Sequence, residues 1–430
     1  MDGKVIESIQ SSDLLDLDSA TPEAAVAHIV RHAAELGASD LFFCTGGESV
    51  TVQMRHLGIV RPLSVLQLEQ GRRCLGHIKA AAGMSTSEHR RPQDGRWIFD
   101  LQASHRAGSF RNQKRNIEAG SGLDLRINSI PTLYGEDMAL RLLQHDHQHL
   151  VLEQLGMTSS QLEQYRSMLQ HPGGLILITG PTGSGKTATL YSSLIRLNDG
   201  TRKINTIEDP IEHAVEGLRQ SQVNPAIDLG FSPLLRSVLR QNPDVIMVGE
   251  IRDEETAQTA VHAANSGTLV FATLHAPAAP AAIQSLRNLG AHPHFLASSL
   301  RGVVAQRLVR TLCPECRGSF DLGDAPYTFE EIRNLLGPDE GRKLFSAPGC
   351  VTCGMTGYSD RTGVFEVMPI TGAIRDLIAY ARPARELREK AIEEGMVQFR
   401  QAALLKVARG ETSIEEVFRV IPTEHLLLED

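Results

Sequence analysis

The chain has 430 residues, 41% of them apolar, enough for two or three separate cores rather than one. Its 43 Lys and Arg are outnumbered by 51 Asp and Glu, giving a net charge of −8, which argues against a dedicated nucleic-acid binder. Aromatics at 5% are too few for a single-strand stacking platform, no apolar run approaches a membrane span, and Met1-Asp2-Gly3-Lys4-Val5 opens no signal peptide. In chain order, residues 1–20 are polar and acidic and read as a loose tail. Thr21-Pro22-Glu23, a capping residue followed by Pro in the first turn, starts a helix that runs to about Leu36. Leu41–Phe43 and Val50–Met54 read as strands, Leu75–Ala82 as a helix, and Trp97–Leu101 and Leu123–Ile127 as strands. Between the last two, Ser104–Gly122 is rich in Arg, Lys, Asn, Gly and Ser and reads as an exposed loop. A helical run is expected over Leu140–Leu155. The reading is a small α+β domain over 21–150, followed by a larger α/β domain over 151–430.

The larger domain opens on its most informative segment. Leu175-Ile176-Leu177-Ile178 is an apolar run of strand length. Gly180-Pro181-Thr182-Gly183-Ser184-Gly185-Lys186-Thr187 follows and fits G-x-x-x-x-G-K-[ST], and Ala188–Leu197 carries leucines at helical spacing. Strand, glycine loop and helix is the setting a phosphate-binding loop needs. The glycines let backbone N–H groups turn towards the phosphates, and the helix N-terminus adds its positive end. Gly180 through Ala188 is therefore the expected ATP-binding segment. Lys186 is expected to reach the β- and γ-phosphates and the Thr187 hydroxyl to hold Mg²⁺. The other reading is an ordinary glycine-rich turn between strand and helix.

Three further strands end in polar groups. Asp244–Glu250 is an apolar run with an acid at each end. Glu250 stands at the C-terminal end, where open α/β sheets bind ligands, and is the favoured acid for metal placement or water activation. Lys203–Ile207 leads into Glu208-Asp209-Pro210-Ile211-Glu212, whose clustered acids call for a metal, water or basic partner, with Glu208 as second catalytic candidate. Thr268–Thr273 leads into Leu274-His275, and His275 is a candidate sensor of the γ-phosphate or a satisfied structural residue. Four of the six cysteines form two C-x-x-C knuckles, Cys313-Pro314-Glu315-Cys316 and Cys350-Val351-Thr352-Cys353. Two such turns complete a closed four-sulfur zinc site, with 317–349 as an inserted subdomain. Disulfides and unrelated buried thiols are the alternatives. Cys44 and Cys74 stand alone and read as core residues.

Taken together, these segments resemble the ATPases of type II secretion and type IV pilus assembly over about Leu36 to Ile421. Gly180–Thr187 is similar to that family's Walker A, Ile207–Glu212 to its Asp box, Asp244–Asp253 to its Walker B segment, and Thr273–His275 to its His box. The cysteine insert between 313 and 353 is similar to that of the type II and pilus-extension members. Arg90–Arg96 resembles a turn motif of the family's second N-terminal domain. Leu125-Arg126-Ile127 and Leu140-Arg141-Leu142 resemble the two places from which arginines reach the nucleotide. The resemblance implies a RecA-like P-loop domain, a smaller PAS-like N-terminal domain, the zinc subdomain and a C-terminal helical region over 364–430. It implies a hexameric ATP hydrolase in the cytoplasm. Such a motor is held at the inner membrane by a platform protein and a cytoplasmic docking component, and drives pseudopilus or pilus assembly. In this role Arg126 and Arg141 would stabilise the transferring phosphoryl when the domains close; surface ion pairs are the plainer reading.

The sequence also departs from the family. The His box continues as Ala276-Pro277, Leu57-Gly58 replaces an Asp-Gly turn, and Phe42-Phe43-Cys44-Thr45 replaces a His-Ile-Glu-Pro segment. The expectation is a chain without the docking domain of type II members, which leaves its partner open. Two rival functions stay open. A nucleic-acid translocase on the same sheet would use the basic loop of Arg106, Arg111, Lys114 and Arg115. A non-hydrolysing nucleotide-gated scaffold would suit the altered N-terminal motifs.

Overall fold

A computed structural model describes residues 15, 17, 19–101, 122–143, 151–323 and 328–422; most of the basic loop expected over 104–122 lies outside them. The chain divides into a unit of residues 1–146 and a unit of residues 147–430.

The first unit runs α1 (Pro22–Glu35), β1 (Asp40–Thr45), β2 (Ser49–His56), β3 (Ile59–Gln67), α2 (Leu68–Ala81), β4 (Gln93–Asp100), β5 (Gly122–Thr132) and β6 (Gly135–Leu143). The six strands form one antiparallel sheet in the order β3-β2-β1-β6-β5-β4. Alternation decides its faces. Leu41, Phe43, Val50, Val52, Leu125, Ile127, Met138 and Leu140 point into a core shared with Ile29 of α1 and Ile78 of α2. The residues between them face the other way, so one side of the sheet is apolar and the other polar. Thr21 caps α1 as expected, its hydroxyl accepting from the Ala24 N–H.

The structure corrects the sequence reading of this unit in three places. β3 was not foreseen, because Arg61 and Pro62 interrupt its apolar pattern; it is an edge strand with a register shift at Val52/Gln53, where Pro is tolerated. Where the structure describes the helix expected over Leu140–Leu155, it shows other elements: up to Leu143 the chain is β6, with Met138, Leu140 and Leu142 buried at every second position, and Leu152–Gln154 is a single 3-10 turn, while 144–150 lie outside the described residues. The alternation outranks the leucine content. The end of the expected tail also has a place. The Leu15 N–H donates to the Leu63 carbonyl at 3.0 Å, and Leu17 is buried in this unit's core.

The second unit runs α3 (Ser159–Leu169), β7 (Gly174–Thr179), α4 (Lys186–Leu197), β8 (Ile204–Glu208), β9 (Arg219–Gln222), α5 (Phe231–Leu239), β10 (Val245–Val248), α6 (Glu254–Asn265), β11 (Leu269–Leu274), α7 (Ala279–Asn288) and α8 (Pro293–Ser299). It continues through β12 (Leu300–Leu312), β13 (Gly318–Asp321), β14 (Lys343–Ser346), β15 (Tyr358–Pro369), α9 (Gly372–Ala379), α10 (Ala384–Glu393), α11 (Phe399–Ala408) and α12 (Ile414–Val420). Its seven-stranded sheet has the order β15-β12-β7-β11-β10-β8-β9, parallel except for β15 against β12. β7, β10 and β11 are buried at every position, because apolar clusters cover both faces of the sheet. That is why they read as unbroken apolar runs rather than alternating ones. This is the RecA-like α/β core that the resemblance implied.

β13 and β14 pair as a small separate hairpin inside the cysteine insert between β12 and β15. The C-terminal region expected to be helical from 364 begins one element later. Residues 364–369 belong to β15, where Val364, Phe365, Val367 and Met368 are buried against β12, and helices start only at Gly372.

Candidate functional site

Four strand ends carry the site. β7 runs into the loop 180–185 and then α4, and β11 lies between β7 and β10, with β8 beyond β10. Because these strands are parallel, the loop, Glu250 after β10, His275 after β11 and Glu208 at the end of β8 all emerge at the same edge. This is the C-terminal edge where open sheets hold ligands.

The loop is shaped to admit phosphates. Gly185 sits before α4 at φ +87°, in the left-handed region that side chains resist. At Gly180 a Cβ would stand 2.4 Å from the backbone oxygen of Gln306, so only glycine lets the loop lie this close to β12. Pro181, Thr182 and Gly183 are exposed, while Gly185, Lys186, Thr187 and Ala188 are half-buried at the helix start. The Lys186 ammonium rests on the carbonyls of Gly180 at 2.7 Å and Pro181 at 3.0 Å, curled over the loop's mouth. Burial lowers its pKa, and the nearby Glu250 carboxylate works the other way. The Ser184 hydroxyl is buried and finds no hydrogen-bond partner among the described residues. An orphaned hydroxyl beside a positively charged loop fits a phosphate oxygen. Thr187, in the first turn of α4, is placed where a hydroxyl can join a Mg²⁺ shell.

Glu250 has two close side-chain neighbours, His275 and Arg252. His275 Nε2 lies 3.0 Å from its Oε1, and Arg252 Nε donates to its Oε2 at 2.7 Å. The Glu250 hydrogen bond raises the Arg252 pKa, and Arg252 also stands 3.9 Å from Asp209. The structure thus brings Glu250, His275 and Lys186 into one electrostatic neighbourhood and adds Arg252, which the sequence reading did not single out. Glu208 is placed differently. It is buried, Tyr191 donates to its Oε2, and Thr206 and Gln220 donate to its Oε1 at 2.5 and 3.1 Å. Its carboxylate therefore ties α4, β8 and β9 together, with both oxygens engaged.

Two other supports escaped the sequence reading. Thr179, at the end of β7, donates from its hydroxyl to the carbonyls of Leu274 and Ala276 and accepts from the Ala276 N–H at 2.8 Å, so the loop strand and the chain after His275 are pinned together. Gln306, buried in β12, donates to the Ser184 carbonyl at 2.7 Å and accepts from the Thr189 hydroxyl at 2.8 Å. A lone amide inside the apolar run Val303-Val304-Ala305-Gln306 was the available signal.

In the first unit Arg126 of β5 and Arg141 of β6 are direct cross-strand partners. The row extends to Arg96 on β4 beside Arg126, and to Asp40 and Arg55 beyond Arg141. Arg96 makes a two-pronged pair with Asp124 at 2.8 and 2.9 Å, and Arg141 and Arg55 each stand 3.4 Å from Asp40. Like charges directly opposite on adjacent strands repel, and Asp40 and Asp124 offset part of this row.

The four knuckle cysteines converge. Their sulfurs all lie within 4.8 Å of one another, with three of the separations at 4.0, 3.9 and 3.8 Å. Metal–sulfur bonds of about 2.3 Å in a tetrahedron give edges of about 3.8 Å, so the set fits one metal ion. Burial alone would raise the Cys353 thiol, but the N–H groups of Cys350 and Gly357, each 3.2 Å from its sulfur, help bring it down to about 6. Among the described residues no helix is long and apolar enough to cross a membrane.

The family model described as "Type II/IV secretion system protein" matches residues 16–419. The type II secretion system ATPase E of Vibrio cholerae is 38% identical over 415 residues, which covers 96% of this chain and 78% of that protein. The type IV pilus assembly ATPase TfpB of Acinetobacter baylyi is 36% identical over 413 residues, 94% of this chain and 67% of that protein. Among solved structures, the ATPase DotB of Legionella pneumophila superposes with a TM-score of 0.66 at 20% identity, covering 92% of this chain and 95% of that one, a likeness of fold.

Proposed function

The chain belongs to the type II/IV secretion system protein family, and on that premise we propose that it is an ATP-hydrolysing motor of a secretion or pilus-assembly machine. One observation carries the reading: a complete phosphate loop with Lys186 folded over it and an acid, Glu250, near enough on the same sheet edge to perturb that lysine. The N–H groups of the loop and of the first turn of α4 take the phosphates, and Lys186 moves from its loop carbonyls to the β/γ oxygens. Thr187 would hold Mg²⁺, which neutralises charge on the transferring phosphoryl. Glu250 orients and polarises the attacking water, with His275 and Arg252 beside its carboxylate to fix its position. Glu208 is assigned the tying together of α4, β8 and β9 rather than a proton-transfer step. Arg126 and Arg141, side by side on β5 and β6, supply positive charge to the nucleotide from the smaller unit. Cys313, Cys316, Cys350 and Cys353 hold zinc as a closed structural site.

In this proposal the chain works as a homo-hexamer on the cytoplasmic side of the inner membrane. It is recruited by a docking component and moves a platform protein for pseudopilus or pilus assembly. The nucleic-acid alternative gains nothing from a net charge of −8. Phosphate release by the purified chain with ATP and Mg²⁺ tests the proposal. Turnover is expected, and Lys186→Ala is expected to abolish it, because the loop then lacks its cation. Unchanged hydrolysis in that variant would remove the P-loop reading.

A further inference from the structure

We propose that Gln306 is a positioning residue for the nucleotide: from β12 it fixes the Ser184–Gly185 peptide so that the Gly185 N–H faces the bound phosphates. The inference rests on the ATP-binding reading above. In a trans peptide the C=O and the following N–H point in opposite directions. The Gln306 Nε2 draws the Ser184 carbonyl towards β12 with a 2.7 Å hydrogen bond. The N–H of that same peptide, which belongs to Gly185, is thereby turned away from the sheet and towards the loop's open side. Gly185, at φ +87°, does not hold its own peptide plane firmly, since glycine crosses between left- and right-handed regions at little cost.

The amide itself is oriented. Thr189, one turn into α4, donates its hydroxyl to Gln306 Oε1 at 2.8 Å, while its backbone N–H donates to the Gly185 carbonyl. With the oxygen engaged by Thr189, the NH₂ is left facing Ser184. The group is buried, so water does not offer a substitute partner. Packing adds to the hydrogen bonds, for a Cβ at Gly185 would stand 3.1 Å from Gln306 Nε2. Gln306 touches no reacting atom; it acts through the backbone of the loop.

The test is a titration of the full-length protein with a fluorescent ADP analogue, displaced by ATP. Gln306→Met keeps the bulk and removes both polar contacts; it is expected to weaken ADP and ATP binding tenfold or more. Metal content should stay near the parent's, and the melting temperature without nucleotide should fall modestly, because the Ser184 carbonyl and the Thr189 hydroxyl lose a buried partner. Gln306→Glu is expected to be equally weak near pH 8, where a carboxylate faces the Ser184 carbonyl. It should recover as the pH falls towards about 6, because a buried carboxyl titrates high and once protonated can donate to Ser184. A merely structural role would not produce that recovery. Thr189→Val leaves Gln306 in place without the group that orients it. It is expected to lose affinity in the same direction by a smaller factor, and it keeps the test open if Gln306→Met does not fold. The inference is overturned if the parent binds nucleotide and either Gln306→Met or, should it not fold, Thr189→Val binds within twofold of it, or if Gln306→Glu is as weak at pH 6 as at pH 8. A parent that binds no nucleotide would instead overturn the ATP-binding reading.

Discussion

At the scale of single residues, the acids on the sheet edge differ in what surrounds them. Glu250 is half-buried and contacts two groups, His275 and Arg252, that a phosphate can attract away. Glu208 is enclosed by Tyr191, Thr206 and Gln220, none of which can leave without exposing a polar atom to an apolar interior. Removing a buried acceptor costs about 1–3 kcal/mol for the donors left behind. Glu208→Ala should therefore lower the stability of the larger unit by about that amount, read by denaturant unfolding. Glu250→Ala should cost much less. Equal stability of the two variants would mean that Glu208 is not the tie between α4, β8 and β9. Burial also affects Tyr191, whose hydroxyl is pushed well above its ordinary pKa first by desolvation and then by the Glu208 carboxylate beside it. It stays a donor at any pH the protein meets.

At the scale of elements, β12 links two functions. Gln306 meets the phosphate loop in its middle, Arg310 is paired with the buried Glu416 of α12, and Cys313 opens the first knuckle directly after its end. The purified protein is expected to carry about one zinc per chain by elemental analysis. Cys316→Ser should release it and lower the melting temperature of the larger unit. The zinc assignment fails if the parent, with its cysteines reduced, carries no metal. Elements whose signal is local were legible in the sequence. The loop 180–187 fixes its own strand and helix, and two C-x-x-C turns fix a metal geometry. Elements decided by distant partners were less legible. β6 read as helix because its leucines are dense, and only the sheet shows that Arg141 and Ala139 face away from the core. β3 was hidden by Pro62, which an edge strand accommodates. The supports Thr179 and Gln306 carry no motif, since their partners lie about a hundred residues away in the chain.

At the scale of the whole molecule, the proposal asks the smaller unit for charge that the phosphate loop lacks. One lysine faces a phosphoryl group whose charge spreads over three equatorial oxygens as it transfers. Arg126 and Arg141 sit opposite each other on β5 and β6 and would supply that charge together. Their loss should therefore lower turnover by about 10³-fold or more, as removal of a phosphoryl-stabilising arginine does. ATP affinity should fall far less, because the contribution is made when the transition state forms. Turnover within a few-fold of the parent in both Arg126→Ala and Arg141→Ala would assign the arginine row to structure alone.

The central claim is that one acid on the RecA-like sheet converts nucleotide binding into hydrolysis. Glu250→Gln keeps the side chain's shape, removes its charge, and leaves the loop, Lys186 and Thr187 untouched. The most direct measurement is a single-turnover experiment in which this variant is loaded with labelled ATP and Mg²⁺ and the bound nucleotide is identified after denaturation. The account predicts that the variant binds ATP about as tightly as the parent and holds it unhydrolysed long after the parent has made ADP. ADP formed at the parent's rate would contradict it.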